Sequence, residues 1–237
     1  MDRLGVAVLI DSGHGINTND SKWSPVFNSV TTLGDMEFLA GERFKEHYFN
    51  WPVSKLLRDM LIKKNIPARL IRETENDMRI PDRVESQRSL YKYYKDKGFD
   101  VITISIHANG LGDGNSWIKA YGIETFCHQD DKESTILAGM VQKNLIKYRV
   151  NYQPYRDSTD RGVKHANFWH FNRGRIPGFE GKCILPEGEF MTYLPSLKLL
   201  CTNQYQHDHA KGIADGIVEY QGFKRVGNLN PKSQKRV

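Results

Sequence analysis

Two histidines and a glutamate stand where a folded chain can use them for chemistry. His14 lies in Asp11-Ser12-Gly13-His14-Gly15, directly after an apolar run. His107 lies in Ser105-Ile106-His107-Ala108-Asn109 and closes a β-branched run, and Glu187 lies in Leu185-Pro186-Glu187-Gly188-Glu189-Phe190 after a third. If the three runs are strands of an open α/β sheet, their carboxyl ends converge on one crevice, which is where such sheets bind ligands. Imidazole nitrogens and carboxylate oxygens are the donors of catalytic zinc sites, which take three protein ligands at about 2.0–2.2 Å and keep a fourth position for water. An ion so held acidifies water and polarises a carbonyl, and a carboxylate outside its ligand shell can carry the proton. Singly, each residue has a plainer reading. His14 serves as a turn residue, His107 as a satisfied structural histidine, and Glu187 as a helix cap or arginine partner.

The elements needed to position them are legible from periodicity. Short apolar runs alternate with helix-period segments, the pattern of an α/β domain. Strands are expected at Val6 to Asp11, Ala68 to Arg72, Val101 to His107, Gly122 to Cys127 and Cys183 to Pro186. Helices are expected through Val53 to Leu61, Pro81 to Lys97, Ile136 to Tyr148 and Gln204 to Tyr220. The expected fold is a single domain with a twisted, mostly parallel or mixed sheet and helices on both faces. Ile16 to Arg43 reads as a long polar connection, the kind of loop that is functional or mobile. Residues 1–222 then form the catalytic domain, and 223–237, rich in Lys, Arg, Asn and Gly, a flexible basic tail.

Bulk properties narrow the field. With 237 residues the chain is long enough to bury a core without staples, and its 34 basic against 28 acidic residues leave a net charge of +6. That balance favours anionic surroundings without choosing among nucleic acid, wall polymer and membrane surface. No nucleic-acid recognition motif accompanies the charge, so nucleic acid ranks last. No apolar run approaches the roughly 20 residues of a membrane span, and no secretory leader is recognisable. Cys127, Cys183 and Cys201 are odd in number and far apart, and read as reduced, buried thiols.

Six elements in order carry a resemblance. Asp11-Ser12-Gly13-His14-Gly15 comes first, then Glu46 and Asn50 at E-x3-N spacing, then Arg72 and Arg83. Ser105-Ile106-His107-Ala108-Asn109, Asp160-Arg161-Gly162-Val163-Lys164 and Leu185 to Phe190 complete the series. The chain resembles the zinc-dependent N-acetylmuramoyl-L-alanine amidases over roughly residues 5 to 221. Its departures are Glu75 where an Asp is common, and Pro186 and Glu189 in the last element. The resemblance implies that His14, Glu46 and His107 bind Zn2+ and that Glu187 is the catalytic carboxylate. Glu46 continues the apolar stripe of Val53 backwards by seven residues, consistent with an inward face. Pro52 is poorly tolerated beyond a first turn, so the regular helix is expected to begin near Trp51. Glu42 is the rival ligand and Glu189 the rival to Glu187, since residues two apart on an extended segment share a side.

Asn109, Arg161 and His165 are expected to touch substrate or brace the site, with Trp169 and His170 beside the groove. His207 and His209 are expected at the surface. The implied reaction is hydrolysis of the amide joining N-acetylmuramic acid to L-alanine, by a monomer acting on peptidoglycan. The resemblance includes bacteriophage endolysins, which reach the wall once the membrane is permeabilised. Two rivals stand beside this reading: a zinc carboxypeptidase-like aminohydrolase, and a wall-binding protein without activity.

Overall fold

In the computed structural model, which describes residues 5–18, 23–152, 159–168 and 181–229, the elements in chain order begin with β1 (Val6–Ser12), β2 (Thr31–Leu33), β3 (Met36–Phe38), α1 (His47–Lys63) and β4 (Ala68–Leu70). There follow α2 (Ile80–Asp96), β5 (Asp100–Asn109), β6 (Ile123–Cys127), α3 (Lys132–Arg149) and β7 (Asp160–His165). The last are β8 (Lys182–Phe190), α4 (Leu194–Leu200) and α5 (Asn203–Leu229). Six strands form one sheet in the order β4-β1-β5-β8-β6-β7. All neighbours are parallel except β6 and β8.

Why β1 reads as an unbroken apolar run from Val6 to Ile10 is clear from the two layers that cover the sheet. Val6, Val8 and Ile10 of β1 and Ile102, Ile104 and Ile106 of β5 join a core shared with α1, α3 and α5. Ala7, Leu9 and Val101 point the other way, into a smaller core with Tyr91 and Tyr94 of α2. A sheet buried on both faces needs apolar residues at every position rather than every second one.

The helix that carries Glu46 starts earlier than its sequence implies. It begins at His47, with Glu46 as its N-cap and Pro52 inside. Proline removes one backbone donor and leaves the carbonyl four residues back without its intrahelical partner. That carbonyl belongs to Tyr48, and it accepts a hydrogen bond at 3.3 Å from Gln206 Nε2 of α5. The tertiary partner replaces the missing bond, so the helix runs through Pro52.

Three further expectations change. The 16–43 connection contains the β2–β3 hairpin, and Phe27, Leu33 and Phe38 anchor it in the main core. Helix α5 continues past Phe223 to Leu229, through the first part of the expected tail; residues 230–237 lie outside those described. His209 is buried beside Phe49 and Tyr205 rather than at the surface, whereas His207 is exposed as expected. Neither ring nitrogen of His209 has a hydrogen-bond partner among the described residues, and burial pushes its pKa down to about 3.

Helices α3 and α5 meet through a glycine. A Cβ at Gly216 would stand 2.6 Å from the Val141 Cα, so only hydrogen permits this approach. A Cβ at Gly139 would meet nothing within 4 Å. Gly216→Ala is therefore expected to destabilise by about 1–3 kcal/mol, and Gly139→Ala to stabilise by about 0.5–1 kcal/mol. Urea unfolding of both variants checks this, and shifts of the same sign would contradict the packing. His209 adds a pH dependence. Its folded pKa lies below the ordinary 6.5, so protonation favours the unfolded chain. Its contribution is complete above about pH 6.5 and declines as pH falls toward 3. His209→Leu should flatten the acid loss of stability across that window, and parallel wild-type and variant curves would refute the assignment.

Candidate active site

The chain leaves β1 through α1 to β4 on one side, then returns through α2, on the opposite face, to β5 on the other side. The carboxyl ends of β1 and β5 therefore form a topological switch point, where open sheets leave a crevice. His14 follows β1 by two residues, and His107 lies near the end of β5. His14 adopts a left-handed conformation, with φ of 48°, which non-glycine residues rarely occupy. Gly13 beside it is obligatory, because a Cβ there would stand 2.3 Å from Cε1 of His107.

Two arginines hold this turn. Arg83 Nη1 donates to Asp11 Oδ1 at 2.9 Å and to the Ser12 carbonyl at 3.0 Å. Arg72 Nε donates to the Ser12 carbonyl at 3.2 Å, and its Nη2 donates to the carbonyl of His14. Buried backbone carbonyls at a strained turn need donors, and these guanidinium groups supply them from outside the strand.

Glu46 meets both histidines. Its Oε2 lies 3.4 Å from His14 Nε2, and its Oε1 lies 2.9 Å from His107 Nδ1. One turn along α1, Asn50 Nδ2 donates to Glu46 Oε1 at 3.0 Å and to the Gly13 carbonyl at 2.9 Å. The Ala108 amide adds a 3.0 Å bond to the same carboxylate oxygen. Burial opposes the Glu46 charge, but the two histidines and Asn50 outweigh it and hold the pKa at about 2. Burial also opposes charge on His107, and Glu46 reverses that, so its pKa is raised.

The far nitrogen of His107, Nε2, is 3.2 Å from Ser105 Oγ, whose hydroxyl donates to Asp11 Oδ2 at 3.0 Å. With that hydroxyl proton spent on Asp11, Ser105 accepts from Nε2–H. Nδ1, which donates to Glu46 when the ring is protonated, is the nitrogen that can turn its lone pair to a metal once that proton leaves. A second partner that fixes the tautomer is the usual support of a metal-binding histidine. One donor atom from each of His14, Glu46 and His107 lies within 4.8 Å of the others. Tetrahedral bonds of about 2.0–2.2 Å place donors ~3.4 Å apart, so two nitrogens and an oxygen at this spacing fit a divalent ion.

Glu187 of β8 is the Cα register partner of His107. Both line a cavity of about 110 Å³ together with His14, Glu46, Asn109 and Trp23. The rival carboxylates are elsewhere. Glu42 is exposed and its Oε2 accepts from the Leu39 amide. Glu189 is fully buried, paired with Arg149, and accepts from the Gly122 amide and the Ser196 hydroxyl. The register of β5 against β8 shifts between Ala108 and Asn109, whose partners are Gly188 and Phe190. Glu189 is the extra residue there, and such a bulge breaks the two-residue alternation that would place it beside Glu187.

Asn109 and Arg161 converge on a carboxylate that motif reading missed. Glu124 of β6 accepts from Asn109 Nδ2 at 2.7 Å and Arg161 Nε at 2.7 Å, and Lys164 Nζ lies 2.6 Å away. Burial works against its charge, but Lys164 and Arg161 prevail and its pKa is lowered. Glu124 is also the Cα register partner of Glu187. A lone glutamate in the apolar run Ile123–Cys127 was the available signal. His165 is exposed at the end of β7 with Nδ1 3.5 Å from Cys127 Sγ, and does not line the cavity. Trp169 and His170 lie outside the described residues. All three cysteines are buried free thiols, as expected.

The sequence matches the family model of N-acetylmuramoyl-L-alanine amidase over residues 8–219. No curated protein matches it. Among solved structures, the N-acetylmuramoyl-L-alanine amidase from Clostridium difficile 630 is 25% identical with a TM-score of 0.65, covering 93% of this chain and 98% of that one. The catalytic domain of CwlV, an N-acetylmuramoyl-L-alanine amidase from Bacillus (Paenibacillus) polymyxa var. colistinus, is 23% identical with a TM-score of 0.62, covering 92% and 98%. The catalytic domain of the CD27L endolysin targeting Clostridia difficile is 16% identical with a TM-score of 0.54, covering 91% and 97%. The last two likenesses concern the fold alone. A family model that spans the sheet from Val8 onward, both histidines and both glutamates of the cavity places this chain among the N-acetylmuramoyl-L-alanine amidases, hydrolases of peptidoglycan.

Proposed function

We propose that His14, Glu46 and His107 hold a zinc ion and that Glu187 is the catalytic carboxylate for hydrolysis of the amide between the lactyl group of N-acetylmuramic acid and L-alanine. The observation that carries this reading is the cluster of two imidazoles and one carboxylate sharing a cavity with Glu187. A bound zinc supplies Lewis acidity toward a carbonyl and brings water toward a pKa of about 7.

The protein's own groups do the rest. Glu187, on the strand beside His107, takes the proton released as water adds to the carbonyl. It returns that proton to the L-alanine nitrogen as the C–N bond breaks, so one carboxyl acts first as base and then as acid. The products are a lactyl carboxylate on the intact glycan and a stem peptide with a free amino terminus. Asn50 and Ser105 keep Glu46 and His107 in orientation, and Asn109 with Arg161 holds Glu124 beside the cavity. Among the described residues no helix is long and apolar enough to cross a membrane.

Product analysis of purified peptidoglycan tests the reaction. Peptides beginning with L-alanine and uncut glycan are expected, and release should stop with a chelator and resume with zinc; cleavage within the peptide or the glycan would overturn the assignment. Glu187→Gln should bind zinc as the wild type does and lose at least about 10²-fold in rate. Near wild-type clearing by that variant rules out the role given to Glu187. Asn50→Ala should fold and lower zinc affinity by about 10–100-fold, measured by competition with a chromophoric chelator, and unchanged affinity would remove Asn50 from the metal site.

A further inference from the structure

A second cavity adjoins the reaction site. It measures about 430 Å³ and is lined by Leu111, Lys119, Ala120, Tyr121, Arg161 and Phe190. Leu111 follows Gly110, and Phe190 precedes Met191; Gly110 and Met191 both line the smaller cavity with the histidines. The two spaces therefore share a wall built from the ends of β5 and β8. Leu111 is exposed, and Phe190 is a buried floor.

Arg161 is held there as a receptor. Its Nε donates to the buried Glu124 carboxylate, and its guanidinium carbon lies 4.9 Å from the centre of the Phe190 ring. The pairing and the stacking fix the plane of the group. Its two terminal nitrogens make no hydrogen bond among the described residues, and the side chain is 37% exposed. A planar guanidinium with its terminal fork open matches a carboxylate through two parallel bonds. Lys119 lines the same cavity.

We propose that this cavity is a subsite for a free carboxylate on the peptide half of the substrate. The proposal rests on the amidase reading. The intact glycan offers neutral hydroxyl and acetamido groups, for which an open guanidinium fork has no special use, whereas the stem peptide carries carboxylates. An extended peptide advances about 3.3 Å per residue, so a cavity sharing a wall with the reaction site meets the first residues beyond the scissile bond. The subsite reads whether the residue after L-alanine bears a carboxylate or a carboxamide.

Two polymeric peptidoglycans that differ only in that group test it. The zinc-loaded wild type is expected to cleave the free-carboxylate polymer about tenfold better in kcat/KM, the discrimination of a charge-assisted contact. Lys119→Gln and Arg161→Gln should each bring the ratio toward one. Because Arg161 also braces Glu124, its loss slows both polymers, and that common effect cancels in the ratio. A wild-type ratio near one, or a ratio untouched by both substitutions, overturns the subsite while leaving the amidase reading intact. Cleavage of neither polymer sinks the amidase reading and the subsite with it.

Discussion

A carboxylate taken out of water must be given partners, and in this protein the partners of Glu46 organise the site. Its charge is sustained by His14, His107, Asn50 and the Ala108 amide, which come from the turn after β1, from α1 and from β5. None of these contacts forms unless helix and strands meet at the correct height. Removing one partner leaves a buried charge uncompensated, which costs far more than the bond alone contributes. Assembly of the fold and assembly of the donor cluster are thus one event.

The same logic explains the arginine pair. Sequence spacing marked Arg72 and Arg83 without assigning them a task. In the structure they hold the carbonyls of Ser12 and His14 and the carboxylate of Asp11. Asp11 in turn accepts from Ser105, which orients His107. A line of hydrogen bonds therefore runs from α2, on one face of the sheet, to the imidazole at the switch point. A left-handed His14 persists because its surroundings over-determine it.

Charge around the cavity is separated by role. Glu124 is neutralised by Arg161 and Lys164, and Glu189 by Arg149, so both act as structural counter-ions. Glu187 instead lines the cavity with the donor cluster. The bulge at Glu189 is what allows neighbouring carboxylates on one strand to take such different positions.

Much of this was legible in the chain itself. The run that became β1 was apolar from Val6 to Ile10 because both faces are covered, and short-range patterning records that burial directly. In β5, buried Thr103 and Ser105 interrupt the run, and they meet Gln87 and Asp11. The ordered motifs named His14, Glu46, His107 and Glu187, since residue type and order are carried by the sequence. Long-range pairings were not. The Tyr48 carbonyl finds Gln206 across the fold, so a helix start ahead of Trp51 could not be read from local rules. His209 and Glu189 are buried by elements distant in sequence, and the partners of Glu124 come from two other strands, β5 and β7. Residue chemistry and local period are written along the chain; which polar group meets which is decided when non-local surfaces close, because only then does desolvation force each buried group to find its partner.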